Sequence, residues 1–235
     1  MKNVFIFSIA LFTGLVVSAQ KIVPSSNVIT EQRTVLNFSQ INAASGIEVV
    51  IVFGGTEKVE IQAPDNVIQY VETVTEKNLL NIRLRKGVNI RGNVAVKVLV
   101  GVKSLTKITA SSGSKISIEN MLAEDKLDIS LSNASLTGSV SVQKASLSLS
   151  KKSHVDLSGS CKELKLSASG GSSAGGTKFT VEVLKAKLSG GSTARLTVTQ
   201  SIDFEGAKGS NLHYAGNPKL RKIKASGDSG LYRAE

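Results

Sequence analysis

The 235-residue chain has no tryptophan, one cysteine, two histidines and three prolines, and aromatic residues make up only 4% of it. Each shortage removes a class of explanation. The single cysteine, Cys161, cannot form an internal disulfide, so packing alone must hold the fold. It sits in "LSGSCKEL" with no histidine close in sequence, and reads as a small buried residue rather than a reactive thiol. His154 and His213, far apart in the chain, do not make a zinc site. The formal charge is +11, a balance that can signal nucleic acid, an anionic glycan or an acidic membrane. Single-strand binding needs stacking platforms, which the scarcity of aromatics denies, so nucleic acid is not expected as a partner. The basic clusters Arg83–Lys86 and Lys219–Lys222 read as strands with one wet, basic face, or as a weak polyanion patch.

Long apolar runs are missing too, with one exception. The chain opens "MKNVFIFSIALFTGLVVSAQ", with Lys2 before an apolar stretch from Val4 to Val17 and a small-residue site at Val17-Ser18-Ala19. These are the parts of a secretory signal peptide, expected over residues 1–19 with cleavage after Ala19. The run is short for a membrane span, which takes about 20 apolar residues. No cysteine follows the cut to carry a lipid. No other stretch could cross a bilayer as a helix, so no transmembrane span is expected. The protein is expected to be exported to the periplasm, the outer-membrane surface or the medium. Loss of Lys2 leaves a charge of +10 (11 − 1). Residues 20–33 are expected as a flexible leader.

What the chain does have is a repeat. The phrase "small or apolar, Ser, x, x, Ser" occurs at Ala110–Ser114, Leu131–Ser135, Leu149–Ser153, Ala168–Ser172, Leu188–Ser192, Gly206–Ser210 and Ala225–Ser229, with Ala207 replacing one first serine. The closing serines are 21, 18, 19, 20, 18 and 19 residues apart. Two positions before each opening residue stand Ile108, Ile129, Leu147, Leu166, Ala186, Phe204 and Ile223, and the positions between are polar. That is the period-two alternation of a half-buried strand; helix-period segments are missing from 100–235. A unit of about 19 residues cannot bury its apolar face alone but can when stacked on copies of itself. The fold class is therefore all-β: a single-stranded parallel β-helix, or solenoid, with about 19 residues per turn. Its hand is expected to be right, as for parallel crossovers generally. Glycine or asparagine at the bends takes backbone angles other residues avoid, and the flanking serines can bond neighbouring backbone turn after turn.

The N-terminal part, 34–102, reads as irregular β. Its strand candidates are Ile47–Phe53, Lys58–Ala63, Asn78–Leu84 and Val94–Val100. "ASG" at Ala44–Gly46 looks like a degenerate first corner. This part is expected to form the first turns of the same solenoid and to cap its end, ahead of the regular repeats over 103–235; a separate small domain is the alternative.

An exported β-rich start, "SG.S" corners every 19 residues or so, "YAGNP" at Tyr214–Pro218 and a final "ASGDSG" together resemble the head GIN domain family of bacterial adhesin-like proteins, over about residues 34–235. In place of the tripeptide Gly-Ile-Asn the chain has Gly46-Ile47-Glu48. The resemblance implies a β-helical domain on an exported protein and brings no catalytic residues with it.

Parallel β-helices also host polysaccharide-active enzymes, which usually need two carboxylates a few ångströms apart. Three places before each phrase, the file reads Lys107, Asp128, Ser146, Lys165, Lys185, Asp203, Lys222. Its two aspartates lie four turns apart, on the order of 19 Å. Asp156 and Asp228 stand alone in theirs. Lys185 and Asp203 are expected as neighbours able to pair. Glu57, Glu60 or Asp65 in the irregular part could still build a catalytic site. No catalytic, metal or cofactor site is assigned, and no binding residue is named. The reading is a non-enzymatic envelope or surface module that binds an envelope or host glycan or protein through a ladder of Ser and Lys or through its end turns. The alternatives are a polysaccharide-active enzyme and a purely structural envelope protein. Self-association through the end turns is a further expectation.

Overall fold

The computed structural model describes residues 21–92 and 94–234, so the expected signal peptide lies outside the described residues. Nine strands precede the regular repeats: β1 (Lys21–Ile22), β2 (Val28–Arg33), β3 (Gln40–Ala43), β4 (Glu48–Phe53), β5 (Lys58–Pro64), β6 (Val71–Glu76), β7 (Leu79–Leu84), β8 (Asn89–Ile90) and β9 (Lys97–Val102). The repeats follow as β10 (Lys107–Ser111), β11 (Lys115–Ser132), β12 (Ser135–Ser150), β13 (His154–Ala168), β14 (Ser173–Leu188), β15 (Thr193–Gly206), β16 (Asn211–Ala215), β17 (Lys219–Ala225) and β18 (Gly230–Arg233). Among the described residues the only helical turn is a 3-10 turn at Ile68–Tyr70.

From β10 onward each strand pairs in parallel with its counterpart one turn away. The expected file from Lys107 through Asp128, Ser146, Lys165 and Lys185 to Asp203 is in register. A strand as long as β12 does not run straight. Its alternation breaks around Gly138 and again at Gln143-Lys144, and the chain turns at both places before the Ser-x-x-Ser corner turns it a third time. The inward file Ile108, Ile129, Leu147, Leu166, Ala186, Phe204 is buried as predicted, with large Phe204 set over small Ala186. Each of the five larger side chains in this file contributes about 1.5–3 kcal/mol when removed from water.

The corners explain the phrase. Their central residues take left-handed backbone angles: Ser112-Gly113, Lys151-Lys152, Gly170-Gly171, Gly190-Gly191, Lys208-Gly209 and Gly227-Asp228. The closing serine then points inward. Ser114, Ser153, Ser172, Ser192 and Ser210 are all buried. The hydroxyls of Ser153, Ser172 and Ser192 donate to the carbonyls of Ser150, Ser169 and Ser189 at 2.6, 2.7 and 2.9 Å. Each also accepts the backbone N–H at the same level of the preceding turn, from Ala134, Ser153 and Ser172. Ser210 and Ser229 continue the ladder by accepting from Ser192 and Ser210.

One copy departs from the expected register. The corner after Leu131 has a single left-handed residue, Asn133, and is one residue shorter. Ser135 therefore aligns with Lys115 and His154 in the wall, and Ala134 takes the serine's inward place. The spacings 21 and 18 become 20 (114 to 134) and 19 (134 to 153). With Ala134 above and Ile47 below, Ser114 Oγ is buried without a hydrogen-bond partner among the described residues.

The irregular part starts the same solenoid but lays its turns out of chain order. β3 and β4 lie directly under β10 and β11. β7 and β9, later in the chain, lie under β3 and β4. Ser45 and Gly46 take left-handed angles, so "ASG" is a corner of the stack. Antiparallel strands then close this end: β6 pairs with β7, β5 with β9, and β2 with β5. The last pairing corrects the expectation of a loose leader. Val28-Ile29-Thr30 is a β-branched run, and it gains an edge to pair with only once β5 is in place. β1 likewise pairs with β8. One apolar core runs from Val35 to Leu212.

Three outcomes follow. Ser172→Ala removes a buried donor and a buried acceptor and costs about 1–3 kcal/mol, whereas Ser135→Ala costs under about 0.5 kcal/mol; thermal unfolding of the two variants checks the assignment. Gly159 has φ +99°, and a Cβ there would overlap the Val140 carbonyl oxygen. Gly159→Ala is therefore expected to lower the melting temperature more than Ser172→Ala, by a loss above about 3 kcal/mol. Cys161 is 2% exposed, and burial pushes its thiol up to about 11. A thiol reagent at pH 8 should label it only after unfolding; rapid labelling of native protein would contradict the packing.

Candidate functional site

The side chains that point outward next to the corners are small, and the wall is hollowed there. A groove of about 570 Å³ runs along the stack from the turn of β10 to the turn of β15. Its rows follow from the register. One is Thr109, Ser130, Ser148, Ser167, Lys187 and Glu205. The other consists of the opening serines of the phrase, Ser111, Ser132, Ser150, Ser169 and Ser189. Members of a row repeat at about 4.8 Å, and the two rows are about 6.8 Å apart along the strand. These residues are half-buried or exposed, unlike the closing serines Ser114, Ser153, Ser172, Ser192 and Ser210. The Ser150 hydroxyl donates weakly to the Leu131 carbonyl at 3.4 Å. At one end Lys187 Nζ meets Glu205 at 3.1 Å. At the other, Asn42 Nδ2 donates to Asn81 at 3.0 Å, extending the polar row.

The groove's surface is mostly apolar, and along it run two rows of hydroxyls that offer donors and acceptors at a fixed period. Glu205 is its one lining carboxylate and is held by Lys187, so the groove lacks the pair that glycoside hydrolysis uses.

The other sequence candidates lie elsewhere. Asp128 is bridged by Lys126 at 3.1 Å. Asp203 does not take Lys185 as its partner. Arg221, one turn on, binds it through two nitrogens, the closer at 2.9 Å, and this hydrogen bonding holds its carboxyl below the usual range. Asp65 is likewise held down, first by the Ser25 hydroxyl and then by Asn27. It ties Ser25 and Asn27, just ahead of β2, to the end of β5. Glu57 accepts the backbone N–H of Asn37, and Glu60 lies mid-strand in β5. Among the described residues, no group of three His, Cys, Asp or Glu side chains could hold a metal ion. His154 Nδ1 lies 2.7 Å from Ser173 Oγ, and His213 stacks on Tyr232 with ring centroids 5.3 Å apart.

The basic clusters do not merge into one patch. Arg83 and Arg85 both reach Glu72, at 3.0 and 3.6 Å. Lys219–Lys222 lies at the far end of the stack, in β17. No described helix is long and apolar enough to cross a membrane. The groove was partly legible: the outward residues before each corner were visible as polar, but nothing in their pattern signalled that the wall is hollow beside them.

No curated protein matches the chain. Among solved structures it is similar to a putative adhesin from Bacteroides fragilis NCTC 9343, at 22% identity and TM-score 0.83, covering 91% of this chain and 100% of that one. It is also similar to a protein described as a putative lipid binding protein from Parabacteroides distasonis ATCC 8503, at 12% identity and TM-score 0.72, covering 92% and 100%. A third is a putative adhesin from Parabacteroides merdae ATCC 43184, at 16% identity and TM-score 0.69, covering 92% and 99%. At these identities the likeness is one of fold. The family described as "Putative auto-transporter adhesin, head GIN domain" matches residues 37–218, so the chain belongs to the head GIN domain family.

Proposed function

We propose that this protein is exported by its first 19 residues and works at the cell envelope or surface as a non-enzymatic, adhesin-like binding module. The groove is its binding face. The observation that carries this reading is the double row of hydroxyls repeated over successive turns. Such a lattice matches an extended ligand with its own repeat of hydroxyls, which is the chemistry of a neutral envelope or host glycan chain. Each bond contributes only about 0.5–1.5 kcal/mol net, so affinity comes from many aligned contacts. A rigid wall pays little ordering entropy to present them. The descriptions of two similar structures and of the family as adhesins agree with this reading.

The test uses the chain from Gln20 onward on a panel of immobilised glycans. The wild type should retain at least one extended neutral polysaccharide. The double variant Ser148→Arg/Ser167→Arg, which fills the groove mid-way, should lose at least tenfold in binding while its melting temperature stays within a few degrees. Equal binding by both proteins would remove the groove from the proposal. Release of shortened sugars from the panel would favour the enzyme reading. Retention of none, with no capture from envelope extracts either, would leave only a structural role.

A further inference from the structure

The two ends of the solenoid are finished differently. At the N-terminal end the outermost strand of one wall among the described residues is β2, which pairs there only with β5. Glu31 and Arg33 stand opposite Ile61 and Val59, both fully buried, and so point toward the core side. The Arg33 guanidinium donates to the carbonyls of Val71 and Ile68 and meets Glu31 at 2.8 Å. A charge laid over the end of the core is a recognised way of closing a sheet against further pairing.

Among the described residues, no charged strand is laid over the C-terminal end in this way. Among the described residues β17 pairs only with β15, and β18 only with β16, so within these residues each presents one unpaired edge of backbone N–H and C=O groups. Leu220 and Ile223 continue the inward file above Ile202 and Phe204, yet they are 44% and 40% exposed. Around them stand Lys219, Arg221, Lys222 and Lys224, and of these only Arg221 has an ion-pair partner among the described residues.

We propose that this end is a strand-addition site for an acidic, extended segment of another polypeptide, which lies along β17 as the start of the next turn. The free backbone edge supplies main-chain hydrogen bonds. Leu220 and Ile223 take alternate apolar side chains, and the lysines take carboxylates between them. The charge also selects the partner. A second copy docking end to end would bring two such basic strands together, and like charges directly opposite each other are destabilising. A lipid surface would leave the edge N–H and C=O groups without partners. This inference concerns a face remote from the groove and stands whether or not the groove binds a glycan.

The test uses the chain from Gln20 onward and a fluorescent ten-residue peptide of alternating valine and glutamate. Fluorescence anisotropy should show saturable binding that weakens as salt is raised from 50 to about 500 mM. Replacing the two central valines by proline, which removes backbone donors but keeps every charge, should weaken binding at least tenfold. So should Ile223→Lys and, separately, Lys222→Glu/Lys224→Glu; all these positions are exposed. Equal binding of the proline peptide would reduce the site to a charge patch and overturn the proposal. No binding at millimolar peptide would overturn it too, leaving the lysines as a device that keeps the edge unpaired. Sedimentation of the protein alone should show a monomer. An oligomer that Ile223→Lys abolishes would assign the face to a second copy, and binding to anionic vesicles without peptide binding would assign it to a membrane.

Discussion

The structure rests on the parallel registration of one turn on the next. Every long strand from β11 to β15 has a hydrogen-bonded neighbour on both sides, and every side-chain file exists only because that register holds. A parallel pair is weakly specified by its ladder alone, since a slip of one residue still makes hydrogen bonds while turning each side chain to the other face. The corners remove that freedom. Two left-handed residues followed by an inward serine fix where one strand stops and the next begins. The serine's bonds to its own corner and to the preceding turn lock neighbouring corners at one level. The short corner at Asn133 shows the tolerance of the device. A missing residue is absorbed inside the bend, alanine replaces serine in the file, and the walls on both sides keep their pairing.

The same five-residue phrase therefore does two opposite things. Its last serine, as at Ser153, Ser172 and Ser192, is inside, bonded to backbone, and holds the stack together. Its first serine is three residues earlier, at the rim of the groove, half-buried or exposed. One short sequence signal encodes both the fold and the surface, which is why the surface repeats as regularly as the core. It also means that a serine count says nothing about how many hydroxyls a ligand could meet.

This division shows where sequence reasoning succeeded and where it stopped. The period, the inward file from Ile108 to Phe204 and the acid-poor file through Asp128 and Asp203 were all readable, because a solenoid turns sequence spacing directly into spatial neighbours. Three things were not readable. The shift at Ser135 was hidden because a polar residue was present at the expected interval, and composition cannot distinguish an inward serine from one in the wall. The place of Val28–Arg33 was hidden because its partner, β5, makes a non-repeating antiparallel contact. The order of the first turns was hidden because repeat logic assumes that neighbours in sequence are neighbours in space, whereas β3 and β4 are held between β7 and β9 on one side and β10 and β11 on the other.

The architecture also accounts for similar structures at 12–22% identity. Each turn asks for an alternation of aliphatic and polar residues, a bend able to adopt left-handed angles, and a small hydrogen-bonding residue after it. Many sequences meet those demands, and a loss in one turn is felt chiefly by the turns beside it. A groove made of repeated weak contacts shares that tolerance. Removing one hydroxyl subtracts one small increment and leaves the others in place. A catalytic centre behaves otherwise, because one misplaced group there can cost a hundredfold in rate. On the proposed reading, a surface that spreads its binding over many equivalent hydroxyls could drift in sequence as far as its scaffold can, because the same rigid stack that makes the fold repetitive holds those hydroxyls in register.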